Sequence, residues 1–231
     1  MGSISLVQNQ RRGNNGVVDI VEDDLPLAEG MMLLLESHAY KVRHFESGEQ
    51  FLESFLSDAD DPRMAQPGCV LLDIRLGSQS GLMVFDKIKI AGKKFTKPVI
   101  FITGHGDMEI AVDVLTRGAF DFVTKPFVSE MLISKIDSAV DKSQVILDEL
   151  CARELLQDRI NRLTQKESLV MRGIATGKSN RDIAEETGNS IRTIELHRAH
   201  VLQKLGVQNA VELANLLARA DLIDSPRITP M

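Results

Sequence analysis

Five polar side chains close short apolar runs in this chain, and as a set they could handle a phosphoryl group. Cys69-Val70-Leu71-Leu72 runs into a single carboxylate, Asp73. Val17-Val18-Asp19-Ile20-Val21 runs into Glu22-Asp23-Asp24, Pro98–Ile102 into Thr103, and Phe120–Thr124 into Lys125. A carboxylate that attacks phosphorus forms an acyl phosphate, a reaction in which the protein has chiefly to position groups and neutralise charge. Glu22, Asp23 and Asp73 are the oxygen donors that Mg²⁺ takes alongside phosphate oxygens and water. Lys125 can pair with the transferred oxygens, and Thr103 can hydrogen-bond one of them. Each has a plainer reading alone: Lys125 a surface charge, Thr103 a strand-end hydroxyl, Glu22-Asp23 acids suited to a helix N-terminus. Their order along successive strands favours the shared chemistry.

The elements that must position them alternate. Apolar runs at 17–21, 41–45, 69–73, 98–103 and 120–126 predict strands. A run with no polar alternation suits a strand buried on both faces of a parallel sheet. A helix is expected from about Leu25, with Pro26 tolerated in its first turn, and Ser47-Gly48-Glu49-Gln50 is a capping box opening a second helix through Phe55. The polar stretch from Ser57 to Gly68 is expected as a loop. Gly77-Ser78-Gln79-Ser80-Gly81 is expected as a phosphate-sized loop before a helix at Leu82–Ile90, and Asp107 should cap a helix through Arg117. Strand and helix alternate five times, which predicts a doubly wound five-stranded parallel sheet in the α/β class. Working groups of such sheets gather at the carboxyl ends of the strands.

Beyond Ser129 the pattern is helical to Arg162, carrying Leu132, Ile136, Val140, Leu147 and Leu150, then Leu156, Ile160 and Leu163. That stripe fits either a coiled-coil seam or packing of a linker helix onto its own domain. The text then changes to short capped helices: Thr164-Gln165-Lys166-Glu167 and Ser179-Asn180-Arg181-Asp182 as openings, Ser190 as a cap, Gly177, Gly188 and Gly206 as stops, and Asn209 starting a fourth. Two helices joined by Thr187-Gly188-Asn189-Ser190 predict a helix-turn-helix in a small all-α domain of four helices. On its second helix Arg192, Thr193, Glu195, Leu196, Arg198 and Ala199 lie toward the N-terminal cap, the end presented to base edges. Arg can read guanine, Glu can accept from cytosine, and Leu or Ala can touch a thymine methyl. Asn180 and Arg181 open the first helix, where free N–H groups suit a phosphate. His197 and His200, three apart with no cysteine nearby, read as packing or phosphate contacts.

Composition limits the classes. The longest apolar run, Met31–Leu35, is far short of a membrane span, and the N-terminus has no signal-peptide pattern. Two cysteines form neither a disulfide framework nor a metal-ligand spacing, which points to a reducing cytoplasm. Residues 1–163 hold 18 basic and 25 acidic side chains, a net of −7, and residues 164–231 hold 9 and 8, a net of +1. The C-terminal third is the part less repulsive to nucleic acid.

Residues 17–142 resemble a response-regulator receiver domain. Phe101-Ile102-Thr103-Gly104-His105-Gly106-Asp107 and Gly118–Phe127 resemble the FixJ subgroup. Residues 164–220 resemble the LuxR-type helix-turn-helix of the NarL/FixJ family, through Leu163–Glu167, Asn180–Ala184 and Thr193–Ala199. The resemblance implies a flavodoxin-like receiver, with Asp73 as phosphoacceptor and Glu22, Asp23, Asp73 and the Arg75 backbone carbonyl as ligands of Mg²⁺. It implies Thr103 and Phe122 as switch residues, Lys125 on the phosphoryl group, and a cis Lys125–Pro126 bond. Arg75 and His105 would flank the path of hydrolytic water and set the phosphate's lifetime. Such receivers usually carry Met-Pro shortly after Arg75, whereas Leu76-Gly77 stands here, which implies a looser loop.

The expected organisation is a disordered or loosely attached N-terminus (1–16), a receiver core (17–128), a last receiver helix and linker (129–162), a DNA-binding domain (163–223) and a tail (224–231). The expected function is a phosphorylation-controlled transcription regulator. Its partners would be a sensor histidine kinase, promoter DNA, a second copy after phosphorylation, and RNA polymerase, with no membrane. One alternative is a regulator that binds DNA without phosphorylation. Another is a phosphatase-like enzyme; the dehalogenase-type phosphatases need a second Asp two positions on as general acid, and Arg75 occupies that position.

Overall fold

The computed structural model describes residues 16–57, 65–77, 79–90, 95–104 and 108–219, the side chains of 108–111 excepted. The chain divides into two compact units, residues 1–149 and 150–231.

The first unit is built on β1 (Val17–Val21), β2 (Lys41–Phe45), β3 (Gly68–Asp73), β6 (Val99–Thr103) and β7 (Asp121–Thr124), ordered β2-β1-β3-β6-β7. All neighbours are parallel. Helices α1 (Leu25–Ser37), α2 (Gly48–Ser57), α3 (Gly81–Ile90), α4 (Met108–Thr116) and the first part of α5 (Ser129–Asn161) belong to this unit. Every residue of β3 is buried. Successive side chains leave a strand on opposite faces, and here both faces are covered. Leu71 joins Met31 and Leu35 of α1 and Leu132 and Ile136 of α5. Val70 and Leu72 join Phe51 of α2 and Val84, Phe85 and Ile88 of α3. Two cores explain why the run ahead of Asp73 carries no polar alternation. Strand order reverses between β1 and β3, which opens a crevice at their carboxyl ends.

One expected loop has a different form. Between Asp73 and α3 the chain makes a small antiparallel hairpin, β4 (Arg75–Leu76) with β5 (Gln79–Ser80), in the register Arg75↔Ser80 and Leu76↔Gln79. Leu76 is apolar and sinks into the second core, while Gly77 turns the chain at φ +37. A short ribbon thus stands where a loop was expected, with Leu76 packed beneath it. Element ends differ slightly elsewhere: α2 runs on through Ser57, α3 starts at Gly81, and β7 ends at Thr124. The start of α2 is held by a shifted form of the expected box. Ser47 Oγ accepts from the Gln50 N–H at 3.3 Å, but the Gln50 side chain reaches the Glu46 N–H at 3.1 Å rather than that of Ser47. The N-terminal lead-in, most of the loop after Ser57, His105, the Asp107 cap and everything beyond Arg219 lie outside the described residues.

The second unit packs α6 (Gln165–Ala175), α7 (Asn180–Thr187), α8 (Ile191–Leu205) and α9 (Ala210–Arg219) around Val170, Ile174, Ile183, Ile194, Val201 and Leu213. Leu156 and Ile160 of α5 and the following Leu163 join this cluster, as Leu132, Ile136 and Val140 join the first core. These residues of the apolar stripe thus pack each within its own unit. Thr164 with Glu167 and Ser179 with Asp182 form complete capping boxes, and Ser190 caps α8. Gly188 (φ +65) and Gly206 (φ +74) end α7 and α8 in the left-handed region, where a side chain would cost energy.

Candidate functional site

The sheet brings all five chemical positions to one edge and joins three of them, Lys125, Asp73 and Glu22, directly. Lys125, just past β7, places Nζ 2.6 Å from Asp73 Oδ2 and 2.8 Å from Glu22 Oε2. Glu22 is 1 % exposed and Asp73 6 %, so these charges meet largely away from water. Thr103 is fully buried at the end of β6; its carbonyl accepts from the Lys125 N–H at 2.6 Å and its hydroxyl donates to the Gly104 carbonyl at 3.3 Å. The Arg75 N–H donates to Asp73 Oδ1 at 3.0 Å. The Lys125–Pro126 peptide is cis. Phe122 is half-buried against the second core, with the Lys135 ammonium 5.9 Å from its ring centre and paired to Asp121.

Three successive acids divide the work at the end of β1. Glu22 reaches Lys125. Asp23, exposed, accepts the Gly77 N–H on Oδ2 at 3.0 Å. Asp24 caps α1 by accepting from the Leu27 N–H at 3.2 Å. Carboxylate oxygens of Glu22, Asp23 and Asp73 all lie within 4.8 Å of one another. Burial pushes the Glu22 carboxyl up to about 7, with the Asp73 charge adding to it and Lys125 opposing it. Burial disfavours the charged form of Lys125, but bonds to Asp73 and Glu22 outweigh it and hold its pKa above the ordinary lysine value. Three carboxylates against one ammonium leave a local excess of negative charge. An all-oxygen donor set of this kind suits a small hard cation such as Mg²⁺.

In the second unit α7 and α8 meet through the Gly188 turn, and Arg198 Nη1 donates to Asn180 Oδ1 at 3.3 Å across the pair. Arg192, Glu195, Leu196 and Ala199 are exposed on α8, and Thr193 is half-buried with its hydroxyl 2.8 Å from that of Ser190. Arg181 is exposed and paired with Glu185 at 3.0 Å.

Comparison with known families decides what the two units are. Residues 18–137 match the response regulator receiver domain, and residues 161–217 match the bacterial regulatory proteins of the luxR family. The chain belongs to the two-component response regulators of the NarL/FixJ family, FixJ subgroup. It is 36% identical over 199 residues to the C4-dicarboxylate transport transcriptional regulatory protein DctR of Rhodobacter capsulatus, covering 86% of this chain and 98% of that one. It is 31% identical over 209 residues to the transcriptional regulatory protein FixJ of Bradyrhizobium diazoefficiens, covering 90% and 98%. Among solved structures, that of the response regulator StyR aligns with a TM-score of 0.72 at 28% identity, over 88% of this chain and 98% of that one. With receiver and LuxR-type DNA-binding domains, this response regulator is a transcription regulator. No described helix is long and apolar enough to cross a membrane.

Several residues that build the receiver's site carry no strong mark in its sequence. Asp24 has one: a short polar residue just ahead of Pro26 is a helix-start signature. Gly81 has none. A Cβ there would sit 2.0 Å from the Asp73 carbonyl oxygen, so only glycine lets α3 start against the end of β3. Gly77 reads in the sequence only as a loop glycine and His44 only as a strand residue, with nothing to mark the bonds they make to the acidic turn from either side.

Proposed function

We propose that this response regulator is controlled by phosphorylation of Asp73 by a sensor histidine kinase and then acts as a dimer on promoter DNA. The observation that supports this best is the single Lys125 ammonium bonded at once to Asp73 and Glu22. A cation held there by two carboxylates can move onto phosphoryl oxygens without leaving its place. An Asp73 carboxylate oxygen attacks phosphorus; the bond from phosphorus to the donor's nitrogen or acyl oxygen breaks, and the donor leaves with that electron pair. Glu22, Asp23 and Asp73, with the Arg75 carbonyl, would hold Mg²⁺, which when bound supplies positive charge to the transferred oxygens. The buried Thr103 hydroxyl turns from the Gly104 carbonyl toward the phosphoryl group, and Phe122 moves inward from beneath Lys135. Arg75, exposed on the hairpin, shields the acyl phosphate from water. In the output domain Arg192, Thr193, Glu195, Leu196, Arg198 and Ala199 face bases, Asn180 and Arg181 meet phosphates, and RNA polymerase is the further partner.

The test is intact-mass measurement after incubation with Mg²⁺ and acetyl phosphate. The wild-type chain should gain one phosphoryl group and Asp73→Asn none; equal labelling of Asp73→Asn would remove the assignment. Sedimentation with and without beryllofluoride tests the dimer, and an unchanged monomer–dimer balance would refute the coupling.

A further inference from the structure

The ladder between β1 and β2 ends at Glu22, whose N–H donates to the Phe45 carbonyl at 3.1 Å. The chain then leaves the sheet, and two residues on Asp24 is already capping α1. The Glu22 carbonyl lies between these two fixed points. The nearby Glu46 N–H is taken by the Gln50 side chain at 3.1 Å. The partner the Glu22 carbonyl finds is a side chain: His44 Nε2, at 2.9 Å. A carbonyl oxygen only accepts, so Nε2 carries the proton.

That carbonyl belongs to the peptide plane joining Glu22 to Asp23. A peptide unit is rigid, so holding its oxygen fixes the last backbone torsion of Glu22 and the first of Asp23. The two acids flank this plane, and its tilt sets where both carboxylates lie. The Gly77 N–H holds the Asp23 end of the same turn, a bond that proline at this position could not give.

We propose that His44 is a positioning residue for the acidic pair, its Nε2–H fixing the peptide plane that aims Glu22 and Asp23. This rests on the reading above, that the pair holds Mg²⁺. Partners of this kind, bonded to ligands rather than to the metal, change metal affinity by about 10- to 100-fold when removed.

The experiment is calorimetric titration of the full, unphosphorylated chain with Mg²⁺, with the unfolding temperature in EDTA recorded for each variant. His44→Phe keeps a ring and loses the donor, and should weaken Mg²⁺ binding about tenfold or more. His44→Gln offers an amide N–H at similar reach and should regain most of that loss. Wild-type affinity in His44→Phe, or a His44→Gln as weak as His44→Phe, would overturn the proposal. Should His44→Phe fail to fold, His44→Gln is compared with His44→Asn, whose donor is one carbon short. Asn should bind weakly, and equal affinities would again overturn the role. A wild-type chain that takes up no Mg²⁺ would instead remove the metal reading itself.

Discussion

Lys125 and Asp73 are 52 residues apart in sequence and 2.6 Å apart at the edge of the sheet. The same ammonium also neutralises the buried Glu22. Removing it should leave two carboxylates facing each other with little water. Lys125→Met is expected to destabilise the receiver by about 3 kcal/mol in EDTA, the low end for a broken buried pair because the lysine is partly exposed. Mg²⁺ should restore part of the loss. The chain's one tyrosine, Tyr40, lies in this unit's core, so its fluorescence during urea unfolding follows the receiver alone. No loss of stability would mean that water already screens the pair.

Glycines make a contrasting test of close approach. Gly81→Ala forces a Cβ to 2.0 Å from backbone oxygen and should cost on the order of 3 kcal/mol, read as a lowered unfolding temperature. Gly30 sits within α1, and a Cβ added there would meet nothing within 4 Å, so Gly30→Ala should stabilise by about 0.5–1 kcal/mol. Similar effects from both would contradict the packing at the end of β3.

In the output domain Glu167 is 4 % exposed, closes the capping box on Thr164 and pairs with Lys204 at 2.7 Å. The Lys204 bond and the Thr164 N–H hold its carboxyl down at about 2, against an ordinary value of 4.5. The unfolded chain therefore binds more protons between these values. The stability Glu167 contributes is fully present above about 4.5 and is lost as pH falls toward 2. Far-UV circular dichroism of the output domain should show this loss, and Glu167→Gln should flatten that part of the profile. An unchanged slope in the variant would assign the acid sensitivity elsewhere.

The bond from Arg198 to Asn180 ties the two helices of the helix-turn-helix. Arg198→Ala should weaken specific DNA binding by about 1–3 kcal/mol and relax preference at one base pair. Asn180→Ala should lose less, and the double variant should lose less than the sum, because the two residues share one contact. Arg181→Ala should weaken all sequences alike and lower the salt slope by about 1. Strict additivity at Arg198 and Asn180 would mean that the bond does not persist on DNA.

Much of this protein is legible in its sequence, because the signals are local. Apolar runs without alternation mark strands covered on both faces, and β3 is buried throughout. Thr164–Glu167 and Ser179–Asp182 mark helix starts through bonds that span three residues, and both boxes form as written. Chain order along successive strands was enough to expect Glu22, Asp23, Asp73, Thr103 and Lys125 at one edge of the sheet, where they meet. Tertiary structure decided the rest. Three adjacent acids look alike in sequence, yet Glu22 turns to Lys125, Asp23 to Gly77 and Asp24 to α1, according to which partner each backbone direction meets. Leu76 makes a ribbon of an expected loop because a core lies beneath it. Lys135 lies over Phe122, and His44 holds the Glu22 carbonyl, through strand and helix neighbours that local periodicity does not encode. Short-range patterns set which elements form. The order of strands in the sheet sets which side chains, far apart in the chain, come within bonding distance.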